Sequence, residues 1–121
     1  MPAGTRAAAE ARGRRAEALV AERLAAEGWR ILAQRHRAPV GELDLVAERE
    51  GLLAFIEVKA RARLADAAAA LTPHQQARLA AAAEHWLALN PGHGAAGMRF
   101  DVVLLDAAGT MRRIADAFRP G

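Results

Sequence analysis

Glu57 and Lys59 belong to the run FIEVKAR, residues 55–61, which otherwise has mainly the apolar residues of a buried strand. Lys59 is the only lysine of the chain, because every other residue in the Lys and Arg count is arginine. Side chains alternate across a strand, so Glu57 and Lys59 share one face. A carboxylate beside an ammonium group is either part of a metal and phosphate site or a solvated salt bridge.

The preceding run, GELDLVA at residues 41–47, carries a second set of acidic side chains. Glu42 and Asp44 alternate with Leu43 and Leu45 along this run. If the run is a strand, the two acids lie on one face and the two leucines on the other.

A short connection at residues 50–51 joins the two runs and predicts a hairpin. If the turn is centred there, Asp44 faces Glu57 and Glu42 faces Lys59. Directly opposed residues have Cβ atoms about 5 Å apart, and two carboxylates at that distance repel by about 3 kcal/mol at an effective dielectric constant of about 20. A loop of odd length without a bulge would instead place Asp44 and Glu57 on opposite faces.

A divalent cation would relieve this repulsion, because Mg²⁺ is usually held by one or two carboxylates together with water and substrate phosphate. Asp44 and Glu57 are the candidate metal ligands, and the backbone carbonyl of Val58 is a further oxygen donor. Lys59 would then orient or deprotonate a water molecule and neutralise charge on a phosphate. This interpretation predicts phosphodiester hydrolysis that depends on Mg²⁺ or Mn²⁺; the alternative is a solvated face with cross-strand salt bridges.

The surrounding elements must position these residues. Strong helix formers at residues 14–27 are followed by a strand pattern. A Thr-x-x-Gln capping box then begins a second helix that runs from Pro73 to about Leu89. The later runs predict one strand, MRFDVVLLD, and either an edge strand or a short helix, TMRRIADAF. This order favours an α/β sandwich with a central mixed sheet of four to five strands flanked by helices.

Glu17 is a further acidic candidate and lies on the first helix. At about 100° per residue it projects about 20° from Leu24 and about 60° from Val20, on the side that should pack on the sheet. A glutamate in that position is either a boundary residue that reaches water or a participant in the site.

Positive charge is concentrated near the N-terminus. The formal net charge is +3, and residues 1–40 contain eight Arg and four Glu, a net charge of +4. Arginine pairs bidentately with phosphate, so this excess favours a nucleic acid partner that is contacted mostly through its backbone. A genome rich in G and C would produce the same excess without a function. The arginines predicted to contact nucleic acid are Arg12, Arg14, Arg15, Arg35, Arg37 and Arg61.

Length and composition limit the remaining classes. A chain of 121 residues fits a single domain, in which residues 1–13 either continue the first helix or form a flexible basic segment. There is no cysteine for disulfides or thiolate metal sites. No apolar run has the length of a signal peptide core or a membrane span, so we expect a soluble cytoplasmic protein without a membrane partner. Trp29 and Trp86 are predicted core anchors.

Three blocks of the chain resemble the YraN-type family of small bacterial nuclease-like proteins: AEALVAERLAAEGWRIL, GELDLVA and LLAFIEVKAR. That family is similar to the archaeal Holliday-junction resolvases and to other members of the restriction-endonuclease-like, PD-(D/E)xK fold. The resemblance extends over residues 13–105. It implies that Asp44 and Glu57 bind the metal, that Lys59 is the catalytic lysine, and that Glu17 is the helical acid of resolvase-like members.

Two positions depart from the family pattern. Ala16 stands where glycine is frequent, which changes little. Gln75 stands where lysine is frequent, so the site lacks a second basic group there, and Gln75 is either a supporting residue or only the partner of the capping box. Glu42 belongs to the motif and is the other supporting candidate.

The function implied by the resemblance is a Mg²⁺- or Mn²⁺-dependent nuclease that acts on DNA, including branched or structured DNA. Analogy with resolvases, which cut two strands, also suggests a homodimer. One alternative is a non-catalytic nucleic-acid-binding or scaffolding domain that retains the fold. Another is a protein-interaction domain with an arginine-rich tail.

Overall fold

The computed structural model describes residues 2–60 and 71–120. Arg61, one of the predicted nucleic-acid-binding residues, lies outside this part of the chain. In chain order the described elements are α1 (Pro2–Ala26), β1 (Arg30–Ala38), β2 (Gly41–Arg49), β3 (Leu52–Ala60), α2 (Pro73–Leu89), β4 (Gly97–Leu105) and β5 (Met111–Phe118).

The strands form one mixed sheet in the order β1-β2-β3-β4-β5. β3 and β4 are parallel, and the other neighbouring pairs are antiparallel. Parallel neighbours need a crossover connection, and α2 lies between these two strands in the chain. The predicted α/β class, a mixed sheet flanked by helices, is confirmed, and the architecture matches the restriction-endonuclease-like fold.

Each helix buries a different face of the sheet. On the α1 face, Val20 and Leu24 pack against a cluster that includes Ile56. On the α2 face, Trp86 packs against a cluster that includes Phe55. Burying one large apolar side chain contributes about 1.5–3 kcal/mol, so these two clusters hold the helices on the sheet.

α1 extends well beyond the sheet. The helix continues through Gly13 to Pro2, and its 25 residues span about 37 Å at about 1.5 Å per residue. Within residues 6–26, the part of the helix whose burial is described, the buried side chains lie between Ala16 and Leu24, so the core holds only the C-terminal half of the helix. Neither of the described helices has the length and apolar content needed to cross a membrane.

The turn between β2 and β3 sets the register of the hairpin. Glu50 and Gly51 have φ values of 52° and 80°. A type I′ turn requires this left-handed conformation at both of its central residues. Arg49 therefore pairs with Leu52, and the pairing keeps the same register as far as Ile56. The predicted hairpin is confirmed, and its register holds from Arg49–Leu52 to Leu45–Ile56, whereas the predicted pairs Asp44–Glu57 and Glu42–Lys59 lie beyond the end of the ladder.

The prediction that Leu43 and Leu45 share a face is wrong. Leu45 packs on the α1 face, whereas Leu43 packs on the α2 face. Across from this segment in β1, Arg35 has a φ of 53° and lies opposite Asp44, between regularly paired residues on either side. A residue with a left-handed backbone conformation changes the face of the sheet to which the neighbouring side chains point. The alternation of side chains between the two faces is therefore interrupted at Arg35 and at Asp44 opposite it.

β1 and β5 form the two edges of the sheet. The last predicted element is a strand and not the alternative short helix. Asp116 in β5 has a φ of 53°, as Arg35 has in β1, and the pairing of β4 with β5 shifts register between Phe100 and Val102. Each edge strand therefore contains one left-handed residue, and β1 also shifts register between Ile31 and Ala33.

The start of β2 and the start of α2 are both fixed by local chemistry. A Cβ atom on Gly41 would lie 2.5 Å from the carbonyl oxygen of Arg78, so only glycine allows β2 to approach α2 this closely. At the start of α2, Thr72 and Gln75 exchange side-chain and backbone hydrogen bonds of 3.1 and 3.2 Å. The predicted capping box is confirmed.

Candidate functional site

Asp44 occupies the point where β2 and β3 separate. The regular pairs of these strands end at Leu45 and Ile56. Two residues further along β3, the backbone N–H of Val58 donates to Asp44 Oδ2 at 2.8 Å. The carboxylate therefore takes the position that a strand carbonyl would occupy in a continued ladder.

Two further carboxyl groups meet Asp44, and we call Glu17, Asp44 and Glu57 the acid cluster. Asp44 lies next to both glutamates, since its charge and hydrogen bonding to its side chain contribute to the raised pKa values of Glu57 and Glu17. Burial, followed by the hydrogen bond and the charge of Asp44, raises the pKa of Glu57 to about 9. Burial, followed by the charge of Asp44, raises the pKa of Glu17 to about 7. The cluster therefore retains protons at neutral pH.

Two cations lie beside the acid cluster. Lys59 Nζ is 3.8 Å from Glu57 Oε2, and the two side chains are 12% and 16% exposed. Arg35 Nε is 3.0 Å from Glu17 Oε1, an ion pair without the alignment of a hydrogen bond. Within the described part of the chain two cations face three carboxyl groups, so full ionisation of these five groups would leave a net charge of −1.

The donor atoms of this cluster fit a hard divalent cation. Asp44 and Glu57 offer neighbouring carboxylates, and the carbonyl of Val58 points to the same side of β3 as the N–H that Asp44 accepts. Among residues 2–60 and 71–120, no three acidic or histidine side chains close into a ready metal cage. Mg²⁺ does not need one, because it keeps several water ligands and binds through one or two carboxylates.

The two supporting candidates lie at the margin of the site. Glu42 Oε2 is 3.4 Å from Arg37 Nε, and the Glu42 charge makes only the smallest contribution to the raised pKa of Glu17. Gln75 uses its side chain to complete the cap of α2. The capping box is therefore a sufficient structural reason for a glutamine at position 75.

The arginines predicted to bind nucleic acid divide by position. Arg12, Arg14 and Arg15 are exposed on α1, and Arg37 is 77% exposed on β1. Arg35 is different, because its guanidinium is directed at the acid cluster. Four of the described arginines are therefore exposed, and Arg37 among them pairs with Glu42, while the fifth belongs to the site.

A groove of about 770 Å³ runs beside the N-terminal half of α1. Arg12, Arg15 and Glu17 line its helical side, and Val58 lines the opposite side near the end of β3. We call it the α1 groove. Since Glu17 and Val58 also belong to the site, the groove opens onto the acid cluster.

Asp101 of β4 is a further buried acid that is not among the residues predicted from the sequence. Its side chain is 0% exposed and lies 3.0 Å from Arg99 Nε and 3.3 Å from Arg113 Nε. It also accepts a 2.9 Å hydrogen bond from the N–H of Asp116. Both guanidinium groups cover the ring of the buried Trp29, at 5.6 and 4.9 Å. The available signal is an acid inside an apolar strand, which needs a buried partner.

The part of the chain that contains this site matches a known protein family. The model of the uncharacterised protein family UPF0102 matches residues 16–105, which contain the whole acid cluster and Lys59. The chain is a member of the UPF0102 family. The resemblance to the YraN-type proteins is thereby confirmed.

Bacterial UPF0102 proteins are similar to this chain over most of its length. One from Granulibacter bethesdensis is 52% identical over 107 residues, which cover 88% of this chain and 68% of the relative. One from Rhodopseudomonas palustris strain HaA2 is 56% identical over 104 residues, which cover 86% of this chain and 81% of the relative. One from Bradyrhizobium diazoefficiens is 50% identical over 113 residues, which cover 93% of this chain and 85% of the relative. The family is uncharacterised, so membership assigns no activity to the site.

Proposed function

We propose that this UPF0102 protein is a metal-dependent nuclease that hydrolyses phosphodiester bonds in DNA. The observation that carries the proposal is the meeting of Asp44, Glu57 and Lys59 where two strands separate. Ionising closely packed, largely buried carboxyl groups is costly unless a cation neutralises them. Groups with strongly shifted pKa values that lie beside a groove are typical of functional sites.

Asp44, Glu57 and the carbonyl of Val58 would hold Mg²⁺ or Mn²⁺. A divalent ion supplies Lewis-acid polarisation of the scissile phosphate when it is bound. Asp44 is oriented by the Val58 N–H at 2.8 Å, so its position does not depend on the ion. Glu57 gives up its proton when a positive charge is placed beside it, because its raised pKa then falls.

Lys59 is the candidate catalytic lysine. It is largely buried and 3.8 Å from Glu57, so its ammonium group is held beside the metal ligands. There it orients the attacking water and neutralises the charge that develops on the phosphate. Glu17 completes the site by joining Asp44 to Arg35, so that the central carboxylate is fixed from α1 as well as from β3.

The exposed arginines of α1 and β1 would contact DNA phosphates. Such contacts release counterions, so binding should weaken steeply with salt and depend little on sequence. Branched or structured DNA is the proposed substrate. Cutting two strands of such a substrate requires two sites, and a homodimer would supply them.

Cleavage of end-labelled DNA in the presence of Mn²⁺ tests the proposal. Junction, flap, duplex and single-stranded substrates are compared for the wild type, Glu57→Gln and Lys59→Ala. We expect the wild type to cut at least one substrate and each variant to lose about 10²–10³ in rate, the typical cost of removing one electrostatic contact to a transition state. Addition of EDTA should abolish the activity.

Glu84→Gln is the matched control, because Glu84 is an exposed acid on α2, away from the site. It should cut at the wild-type rate. Equal cleavage by the wild type and by both site variants would remove the catalytic assignment. A wild type that binds DNA and cuts none of the substrates would identify the non-catalytic nucleic-acid-binding domain instead.

A further inference from the structure

The α1 groove has two chemically different walls. The helical wall includes the cationic residues Arg12 and Arg15, with Gly13 between them. The opposite wall includes the apolar Leu105 and the carboxylate of Asp106, which begins the turn after β4. Positive charge on one side and apolar surface with an acceptor on the other suit a ligand that combines a phosphate with a flat base.

The dimensions of the groove favour a single nucleotide over a duplex. A volume of about 770 Å³ lies within the range of sites for small organic molecules. A base can enter such a space only when it is out of the stack, as in enzymes that act on unpaired or extruded nucleotides. Arginine stacks on the faces of unpaired bases and also pairs with phosphate, so Arg12 and Arg15 suit both parts of this ligand.

Asp106 adds a second constraint on the ligand. Its Oδ1 accepts hydrogen bonds from the N–H groups of Ala108 and Thr110 at 2.9 and 2.8 Å, so the turn holds the carboxylate of this groove-lining residue in one orientation. A carboxylate repels phosphate but accepts a hydrogen bond from an exocyclic amino group such as that of cytosine. The base should therefore face Asp106 and the phosphate should face the arginines.

We propose that the α1 groove binds an unpaired nucleotide of a DNA strand, next to the phosphate that the acid cluster would cut. The inference rests on the proposed function for its DNA ligand and deepens it by naming the substrate class. Among branched substrates it selects those with unpaired nucleotides, such as flaps and single-stranded ends, over fully paired duplex.

Gly13 provides a direct way to fill the groove. A Cβ atom at this position meets nothing within 4 Å, so a larger side chain enters the groove without displacing its neighbours. Glycine is also a poor residue for a helix interior, so Gly13→Leu should raise or preserve the melting temperature. A loss of binding in this variant would therefore report a blocked groove and not a damaged fold.

Fluorescence anisotropy without divalent metal tests the inference independently of cleavage. The probes are a labelled single-stranded DNA and the duplex formed from it, measured at one salt concentration. We expect the wild type to bind the single strand at least about fivefold more tightly, the contribution of stacking one base. Gly13→Leu should lose this preference, and so should Ala9→Leu, which enters the same groove. Ala18→Leu, exposed on α1 and outside the groove, should keep it.

Each result decides the inference. Equal or tighter binding of the duplex by the wild type, or an unchanged preference in both groove variants, would overturn it. The same holds if neither DNA binds. If the preference is found but no substrate is cut with Mn²⁺, the nuclease proposal fails and the groove assignment stands. If DNA is cut but the preference is absent, the groove assignment alone fails.

Discussion

Buried acids occur at two places in this fold, at Asp101 and in the acid cluster, and their charges are neutralised differently. Asp101 meets two arginine side chains and one backbone N–H, and it lies in a strand that is paired on both sides. The acid cluster lies where paired strands separate, and among residues 2–60 and 71–120 the cations beside its three carboxyl groups are Lys59 and Arg35. Burial is common to both groups. The charge balance separates them, because a neutralised acid stabilises the fold while an under-neutralised cluster keeps protons or, under the proposed function, takes up a cation.

Asp101→Asn should give the largest change in stability. It removes the negative charge between Arg99 and Arg113 and leaves two largely buried cations without it, so we expect a loss of about 3–5 kcal/mol of unfolding free energy. Urea unfolding monitored by circular dichroism measures the loss. The exposed Glu84→Gln change should stay within about 0.5 kcal/mol. A loss below about 1 kcal/mol for Asp101→Asn would break the contrast between the two groups.

Asp44→Asn should behave in the opposite way. The amide oxygen can still accept the Val58 N–H while the repulsion within the acid cluster is removed, so metal-free stability should be kept or increased. The wild type should gain about 2.7 kcal/mol from Mg²⁺ at a concentration about 100 times its dissociation constant, and the variant should lose that gain. Thermal unfolding with Mg²⁺ and with EDTA measures both. An equal Mg²⁺ effect in the two proteins would place the metal elsewhere.

The pH dependence of stability sharpens the same contrast. In the metal-free fold the pKa values of Glu17 and Glu57 are raised from 4.5 to about 7 and about 9. Between pH 4.5 and the raised pKa of each glutamate, the folded state therefore binds more protons than the unfolded chain. The free energy of unfolding should then fall as pH rises, by up to about 1.4 kcal/mol per pH unit for each of these protons. Urea unfolding from pH 5 to pH 8 in EDTA measures the slope. Asp44→Asn and saturating Mg²⁺ should each make this slope shallower. Stability that increases from pH 5 to pH 8 would contradict the raised pKa values.

Arg35→Asn should have the smallest effect. Asparagine accepts the left-handed conformation at this position, so the substitution mainly removes the ion pair with Glu17, at a cost of about 0.2–1 kcal/mol. The charge of Arg35 lowers the pKa of Glu17, so that pKa should rise further in the variant. An NMR titration of the Glu17 carboxyl carbon measures the change. Arg37→Asn is the control, because its guanidinium pairs with Glu42; an unaltered Glu17 titration in Arg35→Asn would show that the ion pair is not formed in solution.

The hairpin and the placement of the acid cluster could be predicted because each depends on local rules. A short turn at Gly51 sets the pairing of β2 with β3 and so brings Asp44 near Glu57, although the predicted alternation around Asp44 fails, and helix periodicity turns Glu17 toward the sheet. The capping box of α2 is equally local, since both of its partners lie within one turn of the helix.

Features that depend on distant strands could not be predicted. The left-handed conformation of Arg35 has no sequence signal, because arginine is not a residue that favours it, so the change of face at Asp44 was missed. Asp101 was placed in a strand correctly, but its partners lie on its own strand and on β5, and only the pairing of those strands joins them. Arg35 was predicted to contact nucleic acid for the same reason, since its partner Glu17 lies on another element.

The left-handed residues at Arg35 and Asp116 have a consequence for self-association. An open sheet can recruit a second molecule by adding its strands to an edge, and this is the usual route to fibrils. Here both outermost strands are interrupted within their length, so neither offers an unbroken row of hydrogen-bonding groups. The concentrated protein should therefore resist fibril formation, and any dimer should assemble through its helices or loops instead of through a continuous sheet.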